Sequence, residues 1–166
     1  MNRRLIVMRH AKSSWSDEKL GDHDRPLNER GKKEAPEVAR RLVELGWLPE
    51  RLLSSDSKRT RETWKRMKPI FEEEEEVPKV VWIPDFYHGG MDEVSDALIE
   101  LDDEIAEVMV LGHNPGWEAI VAFLSGEPVT MTTANAALLE GEGDTWEEAL
   151  EQGSWELVEV IRPKEL

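Results

Sequence analysis

The stretch "LIVMRHA", residues 5–11, joins a continuous apolar run to an arginine and a histidine. A run that is apolar at every position is typical of a strand covered on both faces, as in a parallel sheet. Arg9 and His10 therefore come at the very end of a buried strand. Ligands of open α/β sheets bind outside the carboxyl ends of the strands. This first strand thus predicts both a fold class and the place of a functional site.

Further runs along the chain extend this pattern. Strand-like composition is found in residues 4–8, 51–55, 79–83 and 107–112, and helical spacing of apolar residues around 35–45, 64–71, 91–101 and 120–124. Strands that alternate with helices predict a three-layer α/β sandwich with a mainly parallel sheet. Residues 136–140 and 155–161 predict an antiparallel edge of that sheet. Pro36 predicts a kink in the first helix or a helix start near that position.

Composition sets the class of protein. The 166 residues suit a single domain covering 1–166, and a net charge of −15 argues against a nucleic-acid partner. No apolar run is long enough for a membrane span, and no secretory signal is evident, so we predict a cytoplasmic protein without a membrane partner. The absence of cysteine excludes thiolate metal sites and cysteine nucleophiles. The sequence predicts no oligomeric state.

Basic and imidazole side chains follow three of the predicted strands. Arg9 and His10 follow the first, Arg59 follows the second within "SSDSKRTRET", and His113 follows the fourth within "GHNPG". Arginine presents a planar fork of donors that matches phosphate oxygens. A histidine can be a neutral nucleophile or a proton donor near neutral pH. The four residues together predict a phosphate site suited to phosphoryl transfer.

Two predicted helix starts support this anion site. In "GHNPGW", Asn114 fits the N-cap and Pro115 the first helical position, while "SSDS" offers a cap just before Arg59. The free N–H groups at these helix starts would face the same anion.

Four motifs, in order, carry a family resemblance. They are "MRHAKSSW", "DRPLNERGKKEA", "LLSSDSKRTRET" and "VLGHNPGW", within residues 4 to about 126. In this order they resemble the signature blocks of the histidine phosphatase (phosphoglycerate mutase-like) superfamily. The short length, the Arg-His-Ala variant, "DRPL", "FYHGG" and "GHNPG" are most similar to the SixA-type phosphohistidine phosphatases.

The resemblance implies a role for each matching residue. His10 would be the nucleophile that forms a transient phosphohistidine, Arg9 and Arg59 would bind the phosphoryl oxygens, and His113 would complete the catalytic pocket. Arg25, in the "DRPL" block, is similar to a further phosphate or substrate contact. The resemblance implies neither a metal nor another cofactor.

The general acid that many superfamily members use has no clear counterpart here. They carry it on an insertion after the second helix, for which this chain has little room; Asp85 and His88 are the nearby candidates, and His88 is equally a candidate substrate contact. A missing acid suits a phosphohistidine substrate, because imidazole leaves phosphorus more readily than an alkoxide does. We therefore expect hydrolysis of phosphohistidine on a protein.

Other functions remain as alternatives. A small-molecule phosphomonoesterase of the same superfamily would act on a small phosphorylated substrate, and a non-catalytic phosphoprotein-binding module is a third reading. An aspartyl-phosphate mechanism at "DHDR", residues 22–25, is disfavoured because those aspartates do not directly follow an apolar strand. A zinc site is disfavoured because no two of the four histidines, His10, His23, His88 and His113, have close ligand spacing.

Overall fold

A six-stranded sheet with helices on both faces forms the framework of the protein. The computed structural model describes residues 1–166. The strands are β1 (Asn2–Arg9), β2 (Arg51–Ser54), β3 (Lys79–Trp82), β4 (Glu107–Gly112), β5 (Ala136–Glu142) and β6 (Glu156–Ile161). The α-helices are α1 (Glu29–Glu44), α2 (Lys58–Glu73), α3 (Met91–Ile99), α4 (Gly116–Ser125) and α5 (Trp146–Ala149).

The order of the strands brings the predicted site residues to one edge. The sheet runs β3-β2-β4-β1-β5-β6. β3, β2, β4 and β1 are parallel, whereas β5 pairs antiparallel with β1 and β6 antiparallel with β5. The α/β prediction, including the antiparallel edge, is confirmed. Since β2, β4 and β1 are neighbours, the segments that follow them meet at the carboxyl ends of three adjacent strands.

Alternate side chains of the central strand enter two separate cores. Ile6 and Met8 pack with α1 and α2 on one face, while Leu5 and Val7 pack with α3, α4 and α5 on the other. All four are fully buried, which accounts for the unbroken apolar run of β1. Burial on both faces fixes the register of β1 and therefore the position of the Arg-His pair that follows it.

Side-chain caps place the starts of two helices. Asn28 Oδ1 accepts the Gly31 amide at the start of α1, and Ser57 Oγ accepts the Thr60 amide at the start of α2. α1 starts well before Pro36, so the alternative of a helix start near this proline is wrong. α4 begins at Gly116 with Pro115 as its N-cap, so the predictions of Asn114 as the cap and of Pro115 as the first helical residue are also wrong. The Asn114 amide instead donates to the Met131 carbonyl at 2.8 Å.

A buried arginine joins several segments at the amino end of β1, opposite the end that carries Arg9. Arg3 is fully buried, and its guanidinium donates to the carbonyls of Asp103, Ile105, Gly143 and Asp144 at 2.9–3.0 Å. Four carbonyl acceptors satisfy a charge that would otherwise be costly to bury. Elsewhere, none of the helices combines the length and apolar character needed to cross a bilayer.

Candidate active site

A cavity of about 180 Å³ lies at the carboxyl ends of β1, β2 and β4. The structure brings together four residues predicted from the sequence. The cavity lining comprises Arg9, His10, Lys12, Ser13, Trp15, Asp22, Arg59, His113, Asn114 and Thr133. Asp22 is its only carboxylate, and five of the other lining residues are arginine, lysine or histidine. The cavity is therefore suited to a small oxyanion.

His10 is held by a backbone contact at one ring nitrogen, and the other ring nitrogen is left as an acceptor. Its Nδ1 lies 2.7 Å from the carbonyl oxygen of Ala11. A carbonyl can only accept, so Nδ1 carries the proton and Nε2 keeps its lone pair. Burial of the ring lowers the pKa of His10 to about 3. His10 is thus neutral at physiological pH and presents a nucleophilic nitrogen.

His113 faces His10 across the site, and here Nε2 contacts the protein while Nδ1 does not. The ring centroids are 5.2 Å apart. Nε2 of His113 lies 2.8 Å from Ser55 Oγ, whereas the buried Nδ1 has no hydrogen-bond partner in the protein. Burial, together with the nearby His10 and Arg59, lowers the pKa of His113 to about 3. A neutral ring that accepts from Ser55 would offer an Nδ1–H donor to a ligand.

Two arginines supply positive charge beside the histidines. Arg59, in the first turn of α2, places Nε 3.3 Å from His10 Nε2. Arg9 donates from Nη1 to the Met131 carbonyl at 3.1 Å, while its buried Nε has no partner in the protein. An unpaired, buried guanidinium nitrogen beside this cavity is available to an anionic ligand. The pair can therefore hold the oxygens of a phosphoryl group from two directions.

Asp22 is the site residue that the sequence did not reveal. The backbone carbonyl of Asp22 accepts from Arg59 Nη1 at 2.7 Å and its Oδ2 accepts from Arg59 Nη2 at 3.1 Å. Oδ2 also accepts from the Tyr87 hydroxyl, and the Tyr87 and Arg59 contacts hold the pKa of Asp22 below its usual value. In the sequence it stands in the "DHDR" segment, three residues before Arg25, where no local pattern marks it as part of the phosphate site.

Neither of the two predicted substrate contacts, Arg25 and His88, lines the cavity. Arg25 stacks on the Trp15 ring at 3.7 Å, with its Nε 3.6 Å from Asp22 Oδ1. His88 packs on Tyr87, with ring centroids 4.2 Å apart. Asp85 and His88 line an adjacent, larger groove of about 770 Å³ between β3 and α3. Neither of the candidate acids lines the cavity that holds His10 and His113.

Groups of histidine and carboxylate side chains that could hold a metal ion are absent. No cluster of three or more such side chains is arranged for metal binding. His23 pairs with Asp56 at 3.0 Å, and His88 stands outside the cavity that holds His10 and His113. The four histidines therefore do not converge on one point.

Comparison with known proteins now places the chain in a family. Residues 5–77, which include Arg9, His10 and Arg59, match the model of the histidine phosphatase superfamily, branch 1. An uncharacterized chloroplastic protein of Arabidopsis thaliana is 43% identical over 173 aligned positions, which cover 98% of this chain and 79% of that protein. The chain belongs to the histidine phosphatase superfamily.

Solved structures of superfamily members have the same fold along the whole chain. A protein of Agrobacterium tumefaciens, provisionally described as the phosphohistidine phosphatase SixA, is 28% identical with a TM-score of 0.79, covering 97% of this chain and 98% of its own. The protein histidine phosphatase SixA complexed with tungstate is 25% identical with a TM-score of 0.82, covering 98% of both chains. The SixA-like resemblance is confirmed.

Proposed function

We propose that the protein is a metal-independent phosphatase that hydrolyses phosphohistidine on a protein through a covalent intermediate at His10. The single observation that carries the proposal is the position of His10 Nε2. This nitrogen keeps a lone pair because Nδ1 is bound to the Ala11 carbonyl, and it lies in a cavity lined by Arg9, Arg59 and His113. A neutral imidazole surrounded by fixed cationic donors is suited to attack on phosphorus.

In the proposed reaction, each lining residue has one task. His10 Nε2 attacks phosphorus, Arg9 and Arg59 bind the phosphoryl oxygens, and the Nδ1–H of His113 donates to the oxygen on which charge develops. Water then attacks the phosphohistidine intermediate and releases orthophosphate. Arg25, which stacks on Trp15 of the cavity lining, and His88, in the adjacent groove, would contact the remainder of the substrate.

The ionised state of the one carboxylate in the cavity makes phosphohistidine a better substrate for this site than an alkyl phosphate. An alkoxide leaving group needs a protonated acid nearby. Asp22 is the only carboxylate that lines the cavity, and its lowered pKa keeps it ionised at neutral pH. Since Asp85 lines the neighbouring groove, no acid stands ready to protonate an alkoxide. Imidazole leaves without that help.

The relatives support an oxyanion site and a phosphohistidine substrate. The SixA structure with tungstate contains a tetrahedral oxyanion of the kind that this cavity would bind, and that protein is described as a protein histidine phosphatase. For this chain, a protein substrate, a cytoplasmic location and a single-domain organisation remain part of the proposal. The alternative is a small phosphorylated substrate, and the experiment must distinguish it from a phosphohistidine protein.

The test compares substrates on purified protein and on the His10→Ala variant. We expect rapid release of phosphate from a phosphohistidine protein, slower release from an aryl phosphate and little from an alkyl phosphate, all unaffected by EDTA. His10→Ala should abolish every activity, and its matched control His23→Ala, outside the cavity, should retain them. Equal rates on the phosphohistidine protein and the alkyl phosphate would favour the small-molecule phosphomonoesterase.

A trapping experiment tests the covalent step. Quenching the wild type in alkali during turnover should leave phosphate on the protein in an acid-labile, alkali-stable form at His10. A phosphate-free protein that nevertheless turns over substrate would contradict the covalent mechanism.

A further inference from the structure

The Asp22 carboxylate stands at the mouth of the cavity with one oxygen engaged and the other open. Oδ2 is bound by Arg59 and by the Tyr87 hydroxyl. Oδ1 makes only a longer ionic contact, 3.6 Å from Arg25 Nε. The side chain is 50% exposed. One oxygen is therefore fixed by the protein, and the other is accessible to a molecule that enters the cavity.

Binding of a phosphoryl group does not explain this carboxylate. An ionised Asp22 repels phosphoryl oxygens and offsets part of the positive charge of Arg59. The groups that face it are Arg59 on α2, Arg25 in its own loop, Tyr87 after β3, and the rings of His10 and His113. With two arginines and a hydroxyl donor around it, the carboxylate stays ionised. A negative charge kept in an anion site indicates that the substrate also brings a positive charge.

We propose that Asp22 binds the protonated leaving imidazole of the substrate, accepting a hydrogen bond from the ring nitrogen that does not carry phosphorus. This inference rests on the proposed function and makes Asp22 the residue that selects N-phosphorylated imidazolium over phosphate esters. A charge-assisted hydrogen bond to a carboxylate is short and strong. It would also favour the protonated form of phosphohistidine, the form in which imidazole is a good leaving group.

We infer that the Asp22 carboxylate lies on the side of the leaving group. Arg59 bridges the two groups, with Nε 3.3 Å from the attacking His10 Nε2 and Nη2 3.1 Å from Asp22 Oδ2. In-line transfer puts the leaving nitrogen opposite the attacking one. His10 is buried at the base of the cavity, so the leaving ring lies towards the open mouth, where the exposed Asp22 stands.

The step balances without any proton transfer. The lone pair of His10 Nε2 forms the new P–N bond while the old P–N bond breaks and its electron pair stays on the leaving nitrogen. The leaving ring keeps its other N–H and departs as neutral imidazole. His10 becomes a phosphorylated imidazolium whose Nδ1–H still donates to the Ala11 carbonyl. The positive charge thus passes from the leaving ring to His10.

The test is Asp22→Asn with Asp24→Asn as the matched control in the same short turn, Asp22–Asp24. Asp24 is 72% exposed and does not line the cavity. Phosphoimidazole and 4-nitrophenyl phosphate are the two substrates, because both are small and differ in the charge of the leaving group. We expect Asp22→Asn to lower kcat/KM for phosphoimidazole about 10- to 100-fold, the range of a lost charge-assisted hydrogen bond. Activity on 4-nitrophenyl phosphate should stay level or rise.

Inhibition by inorganic phosphate separates recognition from simple positioning of Arg59. If Asp22 only holds Arg59, the Asn variant should bind phosphate more weakly and lose both activities equally, and that result would overturn the inference. We expect instead tighter phosphate inhibition, because a repelling charge has been removed, and an unchanged Asp24→Asn enzyme. If the wild type itself does not prefer phosphoimidazole to alkyl phosphates, the proposed function fails and the inference fails with it.

Discussion

At the residue scale, the two histidines of the site differ in which ring nitrogen contacts the protein and in the group that it contacts. The Ala11 carbonyl accepts from His10 Nδ1. Ser55 Oγ accepts the Ser57 amide and lies 2.8 Å from His113 Nε2, to which its hydroxyl can donate. The first ring therefore offers a lone pair to the cavity and the second offers an N–H. One backbone contact and one hydroxyl contact thus suit two residues of the same type to the two roles proposed for them, nucleophile and donor.

Two arginines two residues apart on α2 provide a matched test of the phosphate site. Arg59 enters the cavity, whereas Arg61 donates to the Asp56 carbonyl and packs on Trp82. Arg59→Lys keeps the charge but loses the fork, and we expect kcat/KM to fall about 10²- to 10³-fold, as for loss of one transition-state donor. Arg61→Lys should change it by less than about threefold. Steady-state kinetics on 4-nitrophenyl phosphate measures both, and similar losses would contradict the assignment.

At the scale of the elements, the sequence predicted what short-range patterns determine. Buried strands, the helix after Ser57 and the antiparallel edge follow from apolar periodicity and capping chemistry. Asp22 could not be predicted, because its contacts to Arg59 and Tyr87 join segments 37 and 65 residues away in the chain. The sequence left open whether α1 starts before Pro36 or near it, because the proline was weighed and the Asn28 cap that determines the start was not.

Arg3 at the start of β1 allows a prediction about the packing of elements. Arg3→Met would leave the four carbonyls without their donor, and we expect the free energy of unfolding to fall by about 3 kcal/mol or more. Arg40→Met, at an exposed position of α1, should change it by less than about 0.5 kcal/mol. Urea unfolding measures both values. Equal stability of the two variants would show that the buried network contributes nothing.

At the scale of the whole molecule, an acidic chain contains a small basic site whose histidines resist protonation. The net charge is −15, yet His10 and His113 both have a pKa lowered to about 3 by burial. In the unfolded chain each histidine would titrate near 6.5. Below that pH the unfolded state binds protons that the folded state does not. Stability from these groups is therefore intact above pH 6.5 and is lost as the pH falls towards 3.

The size of this loss can be predicted. At pH 5 each buried histidine lowers the free energy of unfolding by about 2 kcal/mol. Together the two should lower it by about 4 kcal/mol between pH 7 and pH 5. In His10→Asn the fall should be about 2 kcal/mol smaller, whereas His23→Asn should fall as the wild type does. Urea unfolding at the two pH values, in buffer without phosphate, gives the comparison. An equal fall in wild type and His10→Asn would refute a buried, neutral His10.

The acidic turn between α2 and β3 lies at the opposite end of the sheet from the cavity. Residues 72–77 are exposed there, while β2 and β3 remain joined by their own ladder. The chain before this turn carries Arg9, His10 and Arg59, and the chain after it carries His113. A reporter domain inserted at this turn would sit far from the chemistry. If the chain is divided at this turn and expressed as two polypeptides, a complete site forms only when the two pieces associate. Release of phosphate would then report the association of any two proteins fused to the pieces.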